Sequence, residues 1–132
     1  MASLLNDVFQ DVDISLSVLQ VLAKNSYDSI LITDATKDAK IIYTNKAFTT
    51  LTGYDQSEVI GKNPRILQGA ATDKTVTARL VDALKRDGRF EGRAINYKKN
   101  GTPFIMYWRV LPVKVGNKTK LWVAIQREGS VV

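Results

Sequence analysis

The order and spacing of apolar segments predict an α+β fold: a five-stranded antiparallel sheet with short helices on one face and an N-terminal amphipathic helix on the other. Two β-like segments come first, several short helical segments follow, and three longer β-like segments complete the chain. The dipeptide Asn100-Gly101, the strongest two-residue signal for a β-hairpin, joins the first two of those three segments. A length of 132 residues is enough for one domain with one core.

The beginning of the chain has the pattern of a helical leader. We expect residues 1–24 to form this leader, residues 25–128 the domain, and residues 129–132 the start of a C-terminal linker. Leu16 to Ala23 is expected to be a separate helical stretch, with Ser17 and Gln20 placed as a capping box. The apolar side chains of the leader recur with helical spacing at Leu4, Leu5, Val8, Phe9 and Val12.

Two short strands and three capped helices are expected in the first part of the domain. The strands span Ser29–Thr33 and Lys40–Thr44, with a polar turn between them. Residues able to satisfy the free backbone groups of a helix end flank each helical segment. The helices with their caps are Ala47–Leu51 between Asn45 and Gly53, a turn framed by Asp55 and Glu58 and closed by Gly61, and a longest helix from Thr72 or Asp73 to Arg86 with Gly88 beyond it.

The second part of the domain is expected to hold the strands Phe90–Lys99, Thr102–Val113 and Thr119–Arg127. Successive side chains of a strand point to opposite faces of the sheet, so alternation sorts them into two sets. The inner set is Ala94, Asn96, Met106, Trp108, Val110, Trp122, Ala124 and Gln126. The outer set is Ile95, Tyr97, Tyr107, Leu111, Leu121, Val123 and Ile125.

Both sets are largely apolar, and an apolar patch of this size is costly to leave in water. If the short helices cover the inner set, the leader is the segment available to cover the outer set, in its own protomer or in a partner. We therefore expect a homodimer through the N-terminal helix and the outer sheet face.

Composition excludes several classes of function. The formal charge is +6, but the basic residues fall near predicted hairpin and helix ends, so we interpret them as solvated surface and expect no nucleic-acid partner. No segment has the roughly 18 uninterrupted apolar residues of a membrane span, and the start lacks a secretory signal, so we expect a cytoplasmic protein without a membrane partner. The chain has no cysteine and no histidine, which removes thiolate metal sites and the commonest general base. We therefore expect no metal, no catalytic residues and no enzyme activity.

The nine residues Gly61–Gly69, with the sequence GKNPRILQG, resemble the signature of the light-oxygen-voltage (LOV) branch of the PAS superfamily. In that family the fourth position is a cysteine whose thiol attacks a photoexcited flavin, whereas here it is Pro64. The resemblance implies a PAS fold over roughly residues 28–128 and a variant without the photoactive cysteine. Further matching segments are Ile32-Thr33-Asp34, Asn45-Lys46-Ala47-Phe48, Leu51-Thr52-Gly53-Tyr54, Thr72-Asp73, Ile95-Asn96-Tyr97 and Ala124-Ile125-Gln126.

The resemblance also implies a bound flavin: FMN, with FAD or riboflavin as the alternatives. Asn96 and Gln126 would bond the ring edge, because neutral amides offer both donors and acceptors. The competing interpretation is that these two amides pair with backbone or water, as buried amides usually do. By the same resemblance Asn63 and Gln68 would contact the ring and ribityl chain, and Arg65 the phosphate. The remaining residues expected in the pocket are Thr33, Pro64, Met106, Trp108 and Trp122.

Several positions depart from the LOV pattern. Met106 stands where the family places a second ring-binding Asn, and Val81 where it places a second phosphate-binding Arg, which Lys85 can replace only loosely. Trp108 and Trp122 replace smaller aromatic residues. These tryptophans either tighten an apolar pocket around a ring or fill it, and the sequence leaves both possibilities open.

Two functions are therefore predicted. The first is a flavin-binding sensory domain without adduct chemistry, which signals through flavin photoreduction or redox state to a partner or to an output domain absent from this chain. The alternative is a flavin-free PAS module for dimerisation and signal relay.

Overall fold

The computed structural model describes residues 12–130, and its elements follow the predicted order. The helices are α1 (Val12–Lys24), α2 (Lys46–Thr52), α3 (Gln56–Val59), a 3₁₀ helix (Pro64–Leu67) and α4 (Lys74–Lys85). The strands are β1 (Ser29–Asp34), β2 (Ile41–Thr44), β3 (Phe90–Tyr97), β4 (Pro103–Val115) and β5 (Lys118–Glu128).

The five strands form one antiparallel sheet in the order β2-β1-β5-β4-β3. The last strand therefore lies at the centre, between the first strand and β4. This pairing sets Gln126 opposite Ser29 of β1 on one side and opposite Trp108 of β4 on the other. Asn96 lies on the edge strand β3, opposite Phe104. The predicted fold class, an antiparallel sheet with short helices, is confirmed.

The predicted caps determine where the short helices begin and end. Asn45 caps α2 through its side chain, and Gly53 ends that helix in the left-handed region with φ 83°. Asp55 and Glu58 form the expected capping box of α3, and Asp73 caps α4. Each cap satisfies backbone N–H groups that have no partner within the helix, so these local predictions hold.

The prediction of a separate helix capped at Ser17 is wrong. Helix α1 is already formed at Val12, so Ser17 lies inside it on an exposed side. The helical spacing of apolar residues continues across this position, and a serine facing water in a helix interior is tolerated. With 13 residues α1 is also longer than α4, which has 12 and was expected to be the longest helix. The leader positions Leu4, Leu5, Val8 and Phe9 lie outside the described residues.

The core lies between the inner sheet face and the helical layer, where Phe48 of α2 and Leu67 of the 3₁₀ helix are buried. The predicted sorting of the two faces is confirmed. All eight residues of the inner set are buried, whereas all seven of the outer set are only half-buried. Phe104 is a further buried residue of β4 that the sequence assignment omitted.

Helix α1 meets the domain at its C-terminal end. Ala23 is buried there, and its carbonyl oxygen accepts a 2.8 Å hydrogen bond from Asn45 Nδ2. The opposite side of α1 carries apolar side chains at i, i+4, i+7 and i+8, all exposed: Ile14, Val18, Val21 and Leu22. We call these four residues the α1 stripe. In the part of the chain that the structure describes, the α1 stripe is therefore exposed. None of the helices within residues 12–130 is long and apolar enough to cross a membrane.

Candidate functional site

A cavity of about 670 Å³ lies between the inner sheet face and the helical layer. Small-molecule sites typically have volumes of roughly 300–1,000 Å³. The walls come from strands of the sheet, the loop after β1, the 3₁₀ helix and α4. All ten residues that the sequence assigned to a binding site line this one cavity: Thr33, Asn63, Pro64, Arg65, Gln68, Asn96, Met106, Trp108, Trp122 and Gln126.

Asn96 is the polar residue of the cavity that most directly indicates a bound ligand. Its side chain is only 2% exposed, and its Nδ2 donates to Met106 Sδ at 3.7 Å. No donor within residues 12–130 reaches its Oδ1, although that atom is buried. A buried acceptor without a partner costs about 1–3 kcal/mol. The wall therefore holds an acceptor that a bound ligand with an N–H or O–H group could satisfy.

Gln126 presents the complementary chemistry. It is 3% exposed, and its Oε1 accepts a 2.9 Å hydrogen bond from Ser29 Oγ. Ser29 uses one lone pair of this amide oxygen, and the Nε2 protons are donors that the amide can offer to a ligand. Asn96 and Gln126 thus offer an acceptor and donors to a ligand from two separate strands of the cavity wall. Ser29 was missed by the sequence reasoning, because its partner is 97 residues away.

The side chains of the two tryptophans line the cavity and do not occupy its whole volume. Trp108 and Trp122 are each 7% exposed, and both line the cavity, which stays open beside them. Trp108 packs against Phe90 with ring centroids 5.1 Å apart and tilted planes. This contact draws the larger ring toward β3, where Gly92 lies opposite Trp108. In this structure the two tryptophans are part of the wall of a cavity of about 670 Å³, which favours the interpretation of an aromatic wall with space beside it.

The GKNPRILQG segment forms the 3₁₀ helix, and Pro64 occupies its first position, where a missing N–H costs nothing. Asn63 Oδ1 accepts from the backbone N–H of Arg65 at 2.9 Å. Its Nδ2 donates to the carbonyl oxygen of Asp38 at 2.7 Å. The Asn63 amide, which was assigned to the ring and ribityl chain, therefore also fastens the 3₁₀ helix to the loop after β1. Gln68 is exposed and lines the cavity.

Three cationic side chains line the same cavity: Arg65, Lys85 and Lys37. Lys37 was missed by the sequence reasoning, because its place depends on the fold of the loop after β1. Asp34 organises that loop, since its Oδ1 accepts from Thr36 Oγ1 at 2.7 Å and from the Lys40 N–H at 3.0 Å. The Thr36 hydroxyl is the main reason that the pKa of Asp34 lies below its usual value. Val81 also lines the cavity but offers no charge.

Two further polar side chains of the wall differ in how they are paired. Thr33 is buried, and its Oγ1 donates to the carbonyl oxygen of Asp34 at 2.9 Å. Thr119 lines the cavity with a buried Oγ1 that has no partner within residues 12–130. The register between β4 and β5 shifts beyond Val113, which leaves one extra residue on β5 and reverses the alternation there. This bulge turns Thr119 inward, and no period-2 pattern could have indicated it.

The cavity is built for binding rather than for acid–base chemistry. Amides, hydroxyls, aromatic rings, aliphatic side chains and a thioether make up its buried lining, and the ionisable side chains lie at exposed positions. Among the described residues, no group of three or more His, Cys, Asp or Glu side chains could hold a metal ion.

The family model named PAS domain matches residues 28–128. With the sheet order and the cavity described above, this shows that the chain belongs to the PAS domain family. Within that superfamily it is a LOV domain, and it has no cysteine.

Relatives of known architecture support this placement. Phototropin-2 of Oryza sativa subsp. japonica is 38% identical over 125 residues, which is 93% of this chain and 13% of the phototropin. The blue-light-activated histidine kinase of Brucella anthropi is 44% identical over 80 residues, which is 61% of this chain and 16% of the kinase. The solved LOV domain of the Erythrobacter litoralis EL346 blue-light activated histidine kinase is 33% identical with a TM-score of 0.73, covering 76% of this chain and 94% of that domain. The chain thus spans a small part of the full-length relatives.

Proposed function

We propose that this LOV domain is a sensory module that binds one flavin, FMN, non-covalently in the 670 Å³ cavity. The observation that carries the proposal is the buried Oδ1 of Asn96, which has no partner among the described residues and lies in a cavity that the amide of Gln126 also lines. The pyrimidine edge of an oxidised flavin ring has one N–H donor next to carbonyl acceptors. That edge complements the acceptor of Asn96 and the Nε2 donor of Gln126.

The rest of the cavity supports the same ligand. Trp108 and Trp122 provide a flat aromatic wall for a large planar ring. Arg65, Lys37 and Lys85 line the same cavity and can neutralise a phosphate, which favours FMN over riboflavin. The residues present therefore fit a flavin, with fewer amide contacts to the ring edge than the family pattern because Met106 replaces an Asn.

Sensing in this chain cannot use a thiol. A bound flavin supplies light-driven one- and two-electron acceptance. Pro64 occupies the position of the missing nucleophile, so no covalent bond to the ring can form there. Trp108 and Trp122 line the cavity, so either ring can donate an electron to a flavin bound there. Such electron transfer would also shorten the fluorescence lifetime of the flavin.

Gln126 is the residue that we expect to transmit a change in the redox state of the flavin to the rest of the domain. If a bound flavin presented a new N–H donor on reduction, the acceptor side of the Gln126 amide would be the group to meet it. A rotation of the amide that turned Oε1 toward such a donor would give up the 2.9 Å hydrogen bond from Ser29. Ser29 begins β1, five residues after the end of α1, and both Ser29 and Gln126 also line a second groove next to α1 and α2. We therefore expect the signal to reach α1 as well as the end of β5.

The receiver of that signal is an output domain outside this chain, consistent with the small part of each full-length relative that the chain spans. The protein itself is proposed to have no enzyme activity of its own. The cytoplasmic location and the absence of a nucleic-acid partner stay predictions from composition.

We further propose a homodimer through α1 and the outer sheet face. The α1 stripe is exposed, with Val21 at 60% and Leu22 at 66%. The outer set of the sheet is half-buried and contains no charged side chain. Each apolar side chain that becomes fully buried contributes about 1.5–3 kcal/mol, so pairing these surfaces between two copies is favourable.

The alternative, a flavin-free module for dimerisation and relay, is favoured by one observation. Gln126 is paired with Ser29, and Asn96 Nδ2 with Met106, inside the chain itself. The alternative requires the Asn96 Oδ1 to stay buried without a partner, which is the reason for ranking it second.

One titration separates the two functions. FMN is added to flavin-depleted protein, and tryptophan emission and the flavin absorption bands are followed. The flavin proposal expects saturation at one FMN per chain, with yellow protein after removal of free ligand. Protein that stays colourless and takes up no FMN would leave the flavin-free module as the function. In the loaded protein, blue light should bleach the flavin when a donor is present, without the near-ultraviolet species of a thiol adduct.

A further inference from the structure

Met106 carries the one sulfur atom among residues 12–130, since the chain has two methionines and no cysteine. Its side chain is 3% exposed, on the inner face of β4, and lines the cavity. Asn96 Nδ2 donates to Met106 Sδ at 3.7 Å. The thioether is therefore held in one orientation by a buried amide instead of moving freely in the core.

The same amide connects this sulfur to the ligand site. Asn96 uses its nitrogen on Met106, and its buried Oδ1 has no partner within the described residues. A ring edge bound to Oδ1 is then separated from the sulfur by a single amide group. Met106 lines the cavity, so an oxidant produced at a ring bound there would form in the same enclosed space as the sulfur.

We propose that Met106 is a light-dependent modification site, where the thioether is oxidised to the sulfoxide in the illuminated, aerated, flavin-loaded domain. This inference rests on the proposed flavin binding. An external donor, such as a tertiary amine, gives two electrons and two protons through the flavin to dioxygen, forming hydrogen peroxide. The peroxide transfers one oxygen atom to Met106 Sδ, its O–O bond breaks, and water leaves.

The product changes the site. A sulfoxide oxygen is a much stronger hydrogen-bond acceptor than a thioether, and it would lie beside Asn96 Nδ2, the donor that now contacts the sulfur. The family pattern places an amide at this position, so oxidation restores a polar atom that the sequence lacks. Because methionine sulfoxide is reversed only by dedicated reductases, the change outlasts the excited or reduced state of the flavin. The domain would thereby keep a record of light exposure without a cysteine.

The test is peptide mass spectrometry of the full chain loaded with FMN. Samples are illuminated with a tertiary amine in air, illuminated under argon, or kept dark in air, each with and without catalase. We expect loss of the unmodified Met106 peptide and gain of one oxygen atom only in the illuminated, aerated samples. Catalase, which cannot enter the cavity, should lower the yield without abolishing it, because part of the peroxide reacts inside the cavity before it escapes. Met106→Leu should abolish the gain of oxygen at this peptide.

The outcomes separate this inference from the flavin proposal. If FMN binds and is photoreduced, but Met106 stays unmodified after repeated cycles in air, the inference is wrong while the flavin function stands. Complete protection by catalase would also overturn it, because the oxidant would then come from bulk solution. Failure of the chain to take up FMN would reject both.

Discussion

The two faces of the sheet are almost equally apolar in sequence and differ sharply in the structure. The inner face is buried throughout, yet it includes two amides, and one oxygen of Asn96 has no partner among the described residues. The outer set is half-buried and made of aliphatic and tyrosine side chains, and the same face also carries the exposed charged residues Glu91, Arg93 and Arg109. A buried acceptor without a partner is stabilised only by a hydrogen-bond donor at the right position. An apolar surface is stabilised by any apolar surface that excludes water from it. The inner face therefore has the character of a ligand site and the outer face that of a protein interface.

The largest effect is expected on dimer affinity, from a substitution in the α1 stripe. Val21→Glu places a charge in the α1 stripe without lowering helix propensity. A symmetric dimer loses the Val21 contact twice, which amounts to about 3 kcal/mol or more and weakens the dimer roughly a hundredfold. Sedimentation velocity over a range of concentrations measures the change.

The matched control for this experiment is Gln20→Glu, which adds the same charge on another side of α1. It should leave the dimer nearly intact, and deletion of residues 1–13 should weaken the dimer or cause aggregation. A parent protein that stays monomeric at high concentration would contradict the interface assignment.

The second prediction concerns the inner face of the sheet. Asn96→Leu should lower flavin affinity and raise the melting temperature of the unliganded protein. The ligand loses its acceptor, so flavin affinity should fall by about 1–3 kcal/mol, or roughly 5- to 150-fold. The unliganded protein loses a buried atom without a partner, so its melting temperature should rise. Fluorescence titration and thermal unfolding measure the two effects.

Thr119→Val is the companion variant, since it removes the second unpartnered buried atom of the cavity. It should also stabilise the unliganded protein, with a smaller loss of flavin affinity than Asn96→Leu. Equal losses in the two variants would mean that the cavity wall acts as a whole and that Asn96 has no special role.

A smaller effect is expected at the charged part of the cavity. Arg65→Ala should lower FMN affinity roughly three- to tenfold and leave riboflavin affinity nearly unchanged, because only FMN carries a phosphate. Parallel titrations with the two flavins give the ratio. Arg89, an exposed arginine that does not line the cavity, provides the control Arg89→Ala. An equal loss for both flavins would show that Arg65 acts through the fold and not through the phosphate.

The smallest effect concerns acid stability. Hydrogen bonds from the Thr36 hydroxyl, and then from the Lys40 and Thr36 backbone, lower the pKa of Asp34. A carboxyl group with a lowered folded-state pKa contributes stability above its unfolded value, and this contribution is lost as the pH falls through the folded pKa. Urea unfolding should therefore show a loss of stability below about pH 4 that is reduced in Asp34→Asn. An equal loss of stability at low pH in Asp34→Asn and in the parent would contradict this assignment.

Much of the fold and of the site could be predicted from local patterns. The caps at Asn45 and Asp73, the turn at Gly53 and the sorting of both sheet faces depend on a few neighbouring residues and on the period of a strand. All ten candidate site residues line one cavity for the same reason, since alternation and one family signature were enough to place them. Whether they bind a flavin stays a prediction.

The remaining features depend on contacts between distant parts of the chain. Ser29 and Gln126 meet only because β1 pairs with β5, and the register shift in β5 alone turns Thr119 inward. Lys37 reaches the cavity because of the fold of its loop. The cavity stays open beside two tryptophans because of how their rings pack, and the sequence alone does not predict this packing. Sequence periodicity determines which face a side chain is on, but only the register and packing of the assembled sheet determine what it meets there.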